Sequence, residues 1–343
     1  METRGRSGDD PESSRDILNT RRAPAASKDY SACSGCNLCL LVCPVWRRTR
    51  DLSMTPRGRA KALQHGAGAA DIADSIQSCS LCAACMPVCP EEIDLVAMTL
   101  DLRSQLAQPA PVHDMFARMN TAPAPIPFAG TVLLPGLALR ASAGMLARVA
   151  ALLGGARAVP VHDDDGADIA LALEAGAAIP AQRVERFLAP LRRRDKIIVA
   201  DGLLLYQLYR WLPRSKLISL GEALSRLPQV RRGLCASDLY VIEARAYHFD
   251  YQRLVKYYDG LRRERGCSMN LDLQRIAIPA AAPGLRQKLG LETAGDDGQA
   301  RWILQGRNCT RVVVESVEER AAFERVGGLA VVHLADLADD GTS

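Results

Sequence analysis

The chain has 343 residues, 48% of them hydrophobic, and a formal net charge of +4. That is apolar material for more than one packed core, since single cores stop growing efficiently at a few hundred residues, so two or three domains are expected. The positive excess is small and spread over arginines such as Arg192, Arg193 and Arg194, which is too diffuse for a nucleic-acid footprint; no nucleic-acid partner is expected.

Residues 1–27 are rich in Arg, Ser, Asp, Pro and Ala and nearly free of large apolar side chains. They cannot offset the entropy of ordering and read as a disordered tail. No apolar core followed by a small-residue cleavage site marks a secretory leader there. The longest apolar stretch, Thr131 to Val159, is broken by Pro135, Arg140, Arg148 and Arg157, short of what a bilayer crossing needs. A cytoplasmic protein is expected, peripheral to a membrane only through a partner. In that reducing compartment 11 cysteines point to metal binding rather than disulfides.

Eight of the cysteines form two identical patterns. The first is Cys33-Ser-Gly-Cys36-Asn-Leu-Cys39-Leu-Leu-Val-Cys43-Pro44 and the second is Cys79-Ser-Leu-Cys82-Ala-Ala-Cys85-Met-Pro-Val-Cys89-Pro90. Three closely spaced thiolates wrap one [4Fe-4S] cubane, while the fourth, turned away by the proline, reaches the neighbouring one. Cys33, Cys36, Cys39 and Cys89 are therefore expected to hold cluster 1, and Cys79, Cys82, Cys85 and Cys43 cluster 2. Structural zinc also uses C-x2-C pairs, but has no use for a third cysteine at this step or for the Cys-Pro ending. Two fully ligated cubanes relay electrons and make no bonds, so no catalytic residue is expected in this region. Leu38, Leu40, Leu41, Val42, Leu81, Met86, Val88 and Ile93 are expected to keep water from the sulfurs, by the same packing that would build an ordinary core.

Between the motifs, Ser53-Met-Thr-Pro-Arg-Gly-Arg-Ala-Lys-Ala-Leu63 carries a helix-start signal. Arg57 and Arg59 in it would tune a cluster potential or dock an acidic surface, if they are more than a solvated helix start. Leu95, Met98, Leu102 and Leu106 follow at helical spacing. Residues 28–110 thus read as an all-helical dicluster ferredoxin.

From about Gly130 the texture changes to short apolar runs alternating with helical stretches, the pattern of buried parallel strands. Candidate strands are Thr131 to Leu134, Ala158 to Val161, Lys196 to Ala200, Lys216 to Leu220, Asp238 to Glu243, Arg275 to Pro279, Arg311 to Glu315 and Leu329 to His333. Their order is duplicated, which divides the remainder into α/β repeats at 130–232 and 233–343. The expected fold class is α+β multidomain, an N-terminal all-helical dicluster ferredoxin followed by two Rossmann-like α/β repeats.

The paired cluster motifs, the intervening Pro56-Arg57-Gly58-Arg59 and the two-part α/β remainder resemble the iron-sulfur subunits of glycolate oxidase, of lactate-utilisation systems and of anaerobic glycerol-3-phosphate dehydrogenase, with heterodisulfide reductase subunits in the same broad family. The resemblance implies a flavoprotein dehydrogenase as electron donor and a quinone-linked or ferredoxin-like acceptor downstream. In that family each α/β half carries a Cys-Cys-Gly motif able to bind a further cluster. This chain has Asp164-Asp165-Gly166 and Ala280-Ala281-Ala282-Pro283-Gly284 in those places, Leu137 after Pro135-Gly136, and Ala244-Arg245-Ala246-Tyr247-His248 where a His-x-x-Cys-His segment would fall. The α/β part therefore reads as a degenerate scaffold.

Asp163, Asp164 and Asp165 read as a solvated turn before a hard-metal site. Cys235, Cys267 and Cys309 lack near companions and read as packing residues. His248, beside Phe249, Tyr251, Tyr257 and Tyr258, reads as core with Leu254 and Leu261 before it reads as a partner contact. No G-x-G-x-x-G follows a strand, so no flavin or nicotinamide is expected on this chain. The leading reading is an electron-transfer subunit; a heterodisulfide-reductase-like catalyst and a cluster-stapled structural protein are the alternatives.

Overall fold

A computed structural model describes residues 28–108, 112, 130–273, 275–293 and 297–338; the tail expected at 1–27 lies outside them. The N-terminal part is helical, with Leu38–Leu41, Pro44–Thr49, Pro56–Gln64, Ala73–Ser78 and Leu95–Ser104 as its α-helices. Pro44 and Pro56 each sit in the first turn of a helix, where a missing N–H costs nothing. A bridge between Lys28 and Ile93 ties the beginning of this region to the end of the second motif. Met98, Leu102 and Leu106 pack with Ile76, Ile72 and Leu63, as the helical spacing requires.

The remainder is built on parallel sheets. Strands β1 (Thr131–Leu134), β2 (Lys196–Val199) and β3 (Leu217–Ser219) form the first in that order, and Val161 adds a single bridge to Leu133 on the open side of β1. In the second sheet β4 (Asp238–Val241) lies between β5 (Ser268–Met269) and β8 (Arg311–Val314), with β9 (Ala330–His333) outside β8. With Val161 counted, both sheets have the same order, the second strand outside the first, then the third and fourth. All four residues of β4 are buried, the run expected of a strand covered on both faces.

One strand was misplaced by sequence reasoning. Arg275 to Pro279 was expected to be the second strand of the second half, but that place belongs to β5. Residues β7 (Ile276–Ala277) instead turn back antiparallel on β6 (Leu271–Asp272). The polar Ser268 and the break at Asn270 hide β5 from a hydrophobicity reading. Asn270 earns its burial structurally: its side chain accepts from Ile242 N–H and donates to the Ile242 and Ile278 carbonyls, joining the three segments.

The cores do not stop at the boundaries of the sequence segments. Leu81, Ala83 and Val96 pack into one core with Val132, Ile197 and Phe187 of the first α/β half. A second core joins Leu133 and Ile198 to Tyr240 and Val313 across the two sheets. No helix among the described residues is long and apolar enough to cross a membrane.

Candidate iron-sulfur site

The backbone of each motif curls in the same two places. Gly35 and Asn37 in the first, and Leu81 and Ala83 in the second, have left-handed φ of 82°, 67°, 52° and 60°. These are equivalent positions, one between the first two cysteines and one after the second. Each reversal swings the next thiol back towards the last. Gly and Asn adopt this conformation readily; Leu81 and Ala83 do so at a cost of about 1 kcal/mol each, held there by burial.

The thiols gather in two cavities. One is lined by Cys33, Cys36, Cys39 and Cys89, the other by Cys79, Cys82, Cys85 and Cys43. Their volumes, ≈ 350 and ≈ 370 Å³, are near equal, as two identical inorganic groups would need. The structure therefore brings the fourth cysteine of each motif to the other motif's three. Arg57 borders the first cavity and Arg59 the second. Arg59 is fully buried, donating to the Ser75 carbonyl at 3.0 Å. The Nε atoms of Arg57 and Arg59 are both buried without a hydrogen-bond acceptor. Donors left this way beside four thiols fit a group with sulfide acceptors, since isolated buried N–H groups are costly.

Backbone N–H groups face the sulfurs as well: those of Arg57, Trp46, Leu81 and Ala84 act on Cys39, Cys43, Cys79 and Cys82. Burial pushes the Cys39 and Cys82 thiols up to about 12 and Cys85 well above its ordinary value. Cys79 departs from them: burial pushes it up too, but the Arg59 and Arg103 guanidinium groups outweigh that and bring it down. Thiols this buried become thiolates when a cationic centre replaces their protons.

The two cavities differ in exposure. Cys36 is exposed, and so are Tyr30, Leu38 and Leu41 of the same chain segment. Leu38 and Leu41, expected beside the sulfurs, are exposed, whereas Leu81 and Ile93 line the thiol cavities and Val42 and Val88 pack with Cys82. The second cavity is wrapped by the α/β part. Arg103 donates to the Ile76, Cys79 and Glu174 carbonyls. Arg245 donates to the Ser80 carbonyl at 2.9 Å, and His248 Nδ1 lies 2.7 Å from the Cys82 carbonyl. Because His248 Nε2 accepts from the Ala277 N–H, Nδ1 carries the proton and donates. Glu174, buried among Arg245, Lys288 and Arg103, completes the joint; burial pushes its carboxyl up, but those three cations hold it down at about 2.

Sequence reasoning missed Arg103 and Arg245, and gave His248 to the core. His248 is indeed buried, with Tyr247 edge-on to its ring and Tyr251 and Tyr258 edge-on to Tyr247, but its ring reaches the cluster motif. No local pattern announces a contact across 166 residues.

Asp163 is exposed as a solvated turn would have it, but Asp164 and Asp165 are taken into ion pairs. Arg183 makes a two-pronged ion pair with Asp164 and another with Asp168, and Arg140 pairs with Asp165. Cys235, Cys267 and Cys309 stand just before β4, β5 and β8, at the sheet edge opposite the strand ends that face the clusters. Among the described residues no three His, Cys, Asp or Glu side chains surround a single metal-ion position.

Residues 29–93 match the family model described as a 4Fe-4S dicluster domain. No curated protein and no solved structure matches the chain. The helical N-terminal region is thus a ferredoxin-type domain of an iron-sulfur protein, with at least one [4Fe-4S] cluster and an electron-transfer role.

Proposed function

We propose that the protein is an electron-transfer subunit carrying two [4Fe-4S] clusters in crossed ligation, Cys33, Cys36, Cys39 and Cys89 on one and Cys79, Cys82, Cys85 and Cys43 on the other. The observation that carries this reading is the pair of near-equal cavities, each lined by one crossed set of four thiols. The exposure of Cys36, with Tyr30, Leu38 and Leu41 of the same segment also exposed, makes cluster 1 the point where an external partner exchanges electrons. A flavoprotein dehydrogenase is the donor that the resemblance suggests, with a quinone-linked or ferredoxin-like acceptor beyond. The two sheets of identical order are read as diverged Rossmann-like repeats that grip cluster 2. A disulfide-reducing catalyst would need thiolates between those repeats, and Cys82 is the one thiol that borders the cavity there among the described residues.

Anaerobic purification followed by iron and sulfide assay and EPR of the dithionite-reduced protein tests the proposal. About eight irons per chain and the spectrum of two interacting [4Fe-4S]+ centres are expected. Four irons, or zinc in their place, would overturn it.

A further inference from the structure

A cavity distinct from the two thiol pockets is built by the α/β part. It lies between the two sheets, at the carboxyl ends of their strands, with ≈ 840 Å³ of space that opens to solvent. Such crevices are where parallel α/β sheets take ligands. Segments following β1, β2, β4 and β8 line it, and so do Ser80 and Cys82, which also border the second thiol pocket. One wall therefore separates it from cluster 2.

Its charge is one-sided. Asp201, Glu243, Glu315, Glu318 and Glu319 line it against Arg245 and Lys288, and both of those cations already pair with Glu174. Of the helix starts at the cavity, those at Gly202, Ala244 and Val317 are capped by the chain itself, and only the six-residue helix Gly136–Ala141 is not. Asp201 accepts from Leu204 N–H, Glu243 from the N–H groups of Arg245 and Ala246, and Ser316 from Glu318 N–H. Glu315 is likewise satisfied by the Tyr240 and Tyr258 hydroxyls and by Glu243 N–H. Glu319 is different. Its side chain is buried, 5% exposed, and lines the cavity; its carboxyl group accepts from the Ala280 backbone N–H, but its Oε2 has no partner. A buried oxygen without a partner, at a crevice lined by five carboxyl groups against two cations that are already paired, calls for a ligand that donates hydrogen bonds and brings positive charge. A bare metal ion does not suit it, since no three ligating side chains converge there.

We propose that this cavity binds a small organic cation, a primary ammonium compound whose nitrogen donates to Glu319. Bound there, its charge lies across the Ser80 and Cys82 wall from cluster 2 and favours the reduced state of that cluster. The binding stands independently of the electron-relay reading; the effect on the cluster rests on it.

The test is calorimetric titration of the cluster-loaded full chain with ethanolammonium and putrescine, and with acetate as the anionic control. Saturable binding of at least one ammonium compound and none of acetate is expected. Glu319→Gln, which keeps the size and shape of the side chain, should weaken binding at least tenfold, about 1.4 kcal/mol. Glu318→Gln, an exposed change at the same cavity, should weaken it by a smaller factor and decides the matter if E319Q does not accumulate. No binding by either ammonium compound, equal binding of acetate, or unchanged affinity in both variants overturns the site. A redox titration with and without the ammonium ligand completes the test: the potential of one cluster should rise. Binding without that rise overturns the coupling alone, and a chain that binds the ammonium but lacks redox-active clusters overturns the relay and leaves the site.

Discussion

Arg57 and Arg59 stand two residues apart in one helix, yet they border different thiol cavities. Arg59→Ala should lower the midpoint potential of the cluster at Cys43, Cys79, Cys82 and Cys85 and leave the other unchanged, because a buried guanidinium favours the more negative reduced state. A redox titration that moves both clusters equally, or neither, would refute this. Cys43→Ser offers a second discrimination. Although Cys43 belongs to the first motif, its loss should alter the EPR signal of the cluster wrapped by the second. A third prediction concerns protons. Burial holds the His333 imidazole down at about 4, against an ordinary 6.5. The unfolded chain then takes up a proton that the folded chain refuses, so this contribution is complete above pH 6.5 and is lost as the pH falls towards 4. His248 has the same sign; Glu315, pushed up by burial to about 7, acts oppositely between 4.5 and 7. His333→Asn should therefore flatten the fall in Tm between pH 6.5 and 4 relative to the parent chain, an effect of up to ~3 kcal/mol at about 1.4 kcal/mol per unit, measured by scanning calorimetry across that range.

At the scale of the element, the helix Pro56–Gln64 shows how sequence signals and packing combine. Thr55 caps it, its hydroxyl accepting from Gly58 N–H at 3.0 Å and donating to the Leu52 carbonyl at 2.6 Å. Gly58 lies so close to the preceding 3-10 turn that a Cβ on it would fall 2.0 Å from the Leu52 carbonyl oxygen. That atom is backbone and cannot step aside. Gly58→Ala should push the helix off the turn and carry Arg57 and Arg59 away from their cavities; the expected outcome is a drop in iron retained per chain, while Thr55→Ser, which keeps the cap, should retain it. The start of this helix was legible from Thr55 and Pro56. The close approach at Gly58 was not, because it depends on where the turn comes to rest. The same limit explains β5: a two-residue strand is fixed by its partner β4, and its own residues carry no period.

At the scale of the whole molecule, a buried charge network joins the α/β part to the ferredoxin-type domain. Glu174 answers Arg245 and Lys288, while Arg103 and Arg245 hold the carbonyls of Cys79 and Ser80. Glu174→Ala leaves these cations buried and unpaired, and should cost about 3–5 kcal/mol. Because the same cations hold the second motif, the loss should fall unevenly: one cluster is expected to bleach faster than the other under mild chelation, followed by visible absorbance and EPR. Equal bleaching of both would show that the network stabilises the fold without supporting cluster 2.

The iron-sulfur character of the N-terminal region was legible in the sequence alone. Two C-x2-C-x2-C-x3-C-P runs fix which thiols lie close together, since ligand spacing is local and the proline turns the fourth cysteine away within a single residue. The sequence also determined the strand and helix alternation, because apolar periodicity is local too. Only the tertiary structure decided what surrounds the thiols: that Leu38 and Leu41 face outward, that Asp164 and Asp165 are taken by Arg183 and Arg140, that His248 reaches Cys82, and that Glu319 Oε2 is left without a partner. Each of these depends on which distant segments meet, and the burial that makes such contacts strong is set by the packed whole.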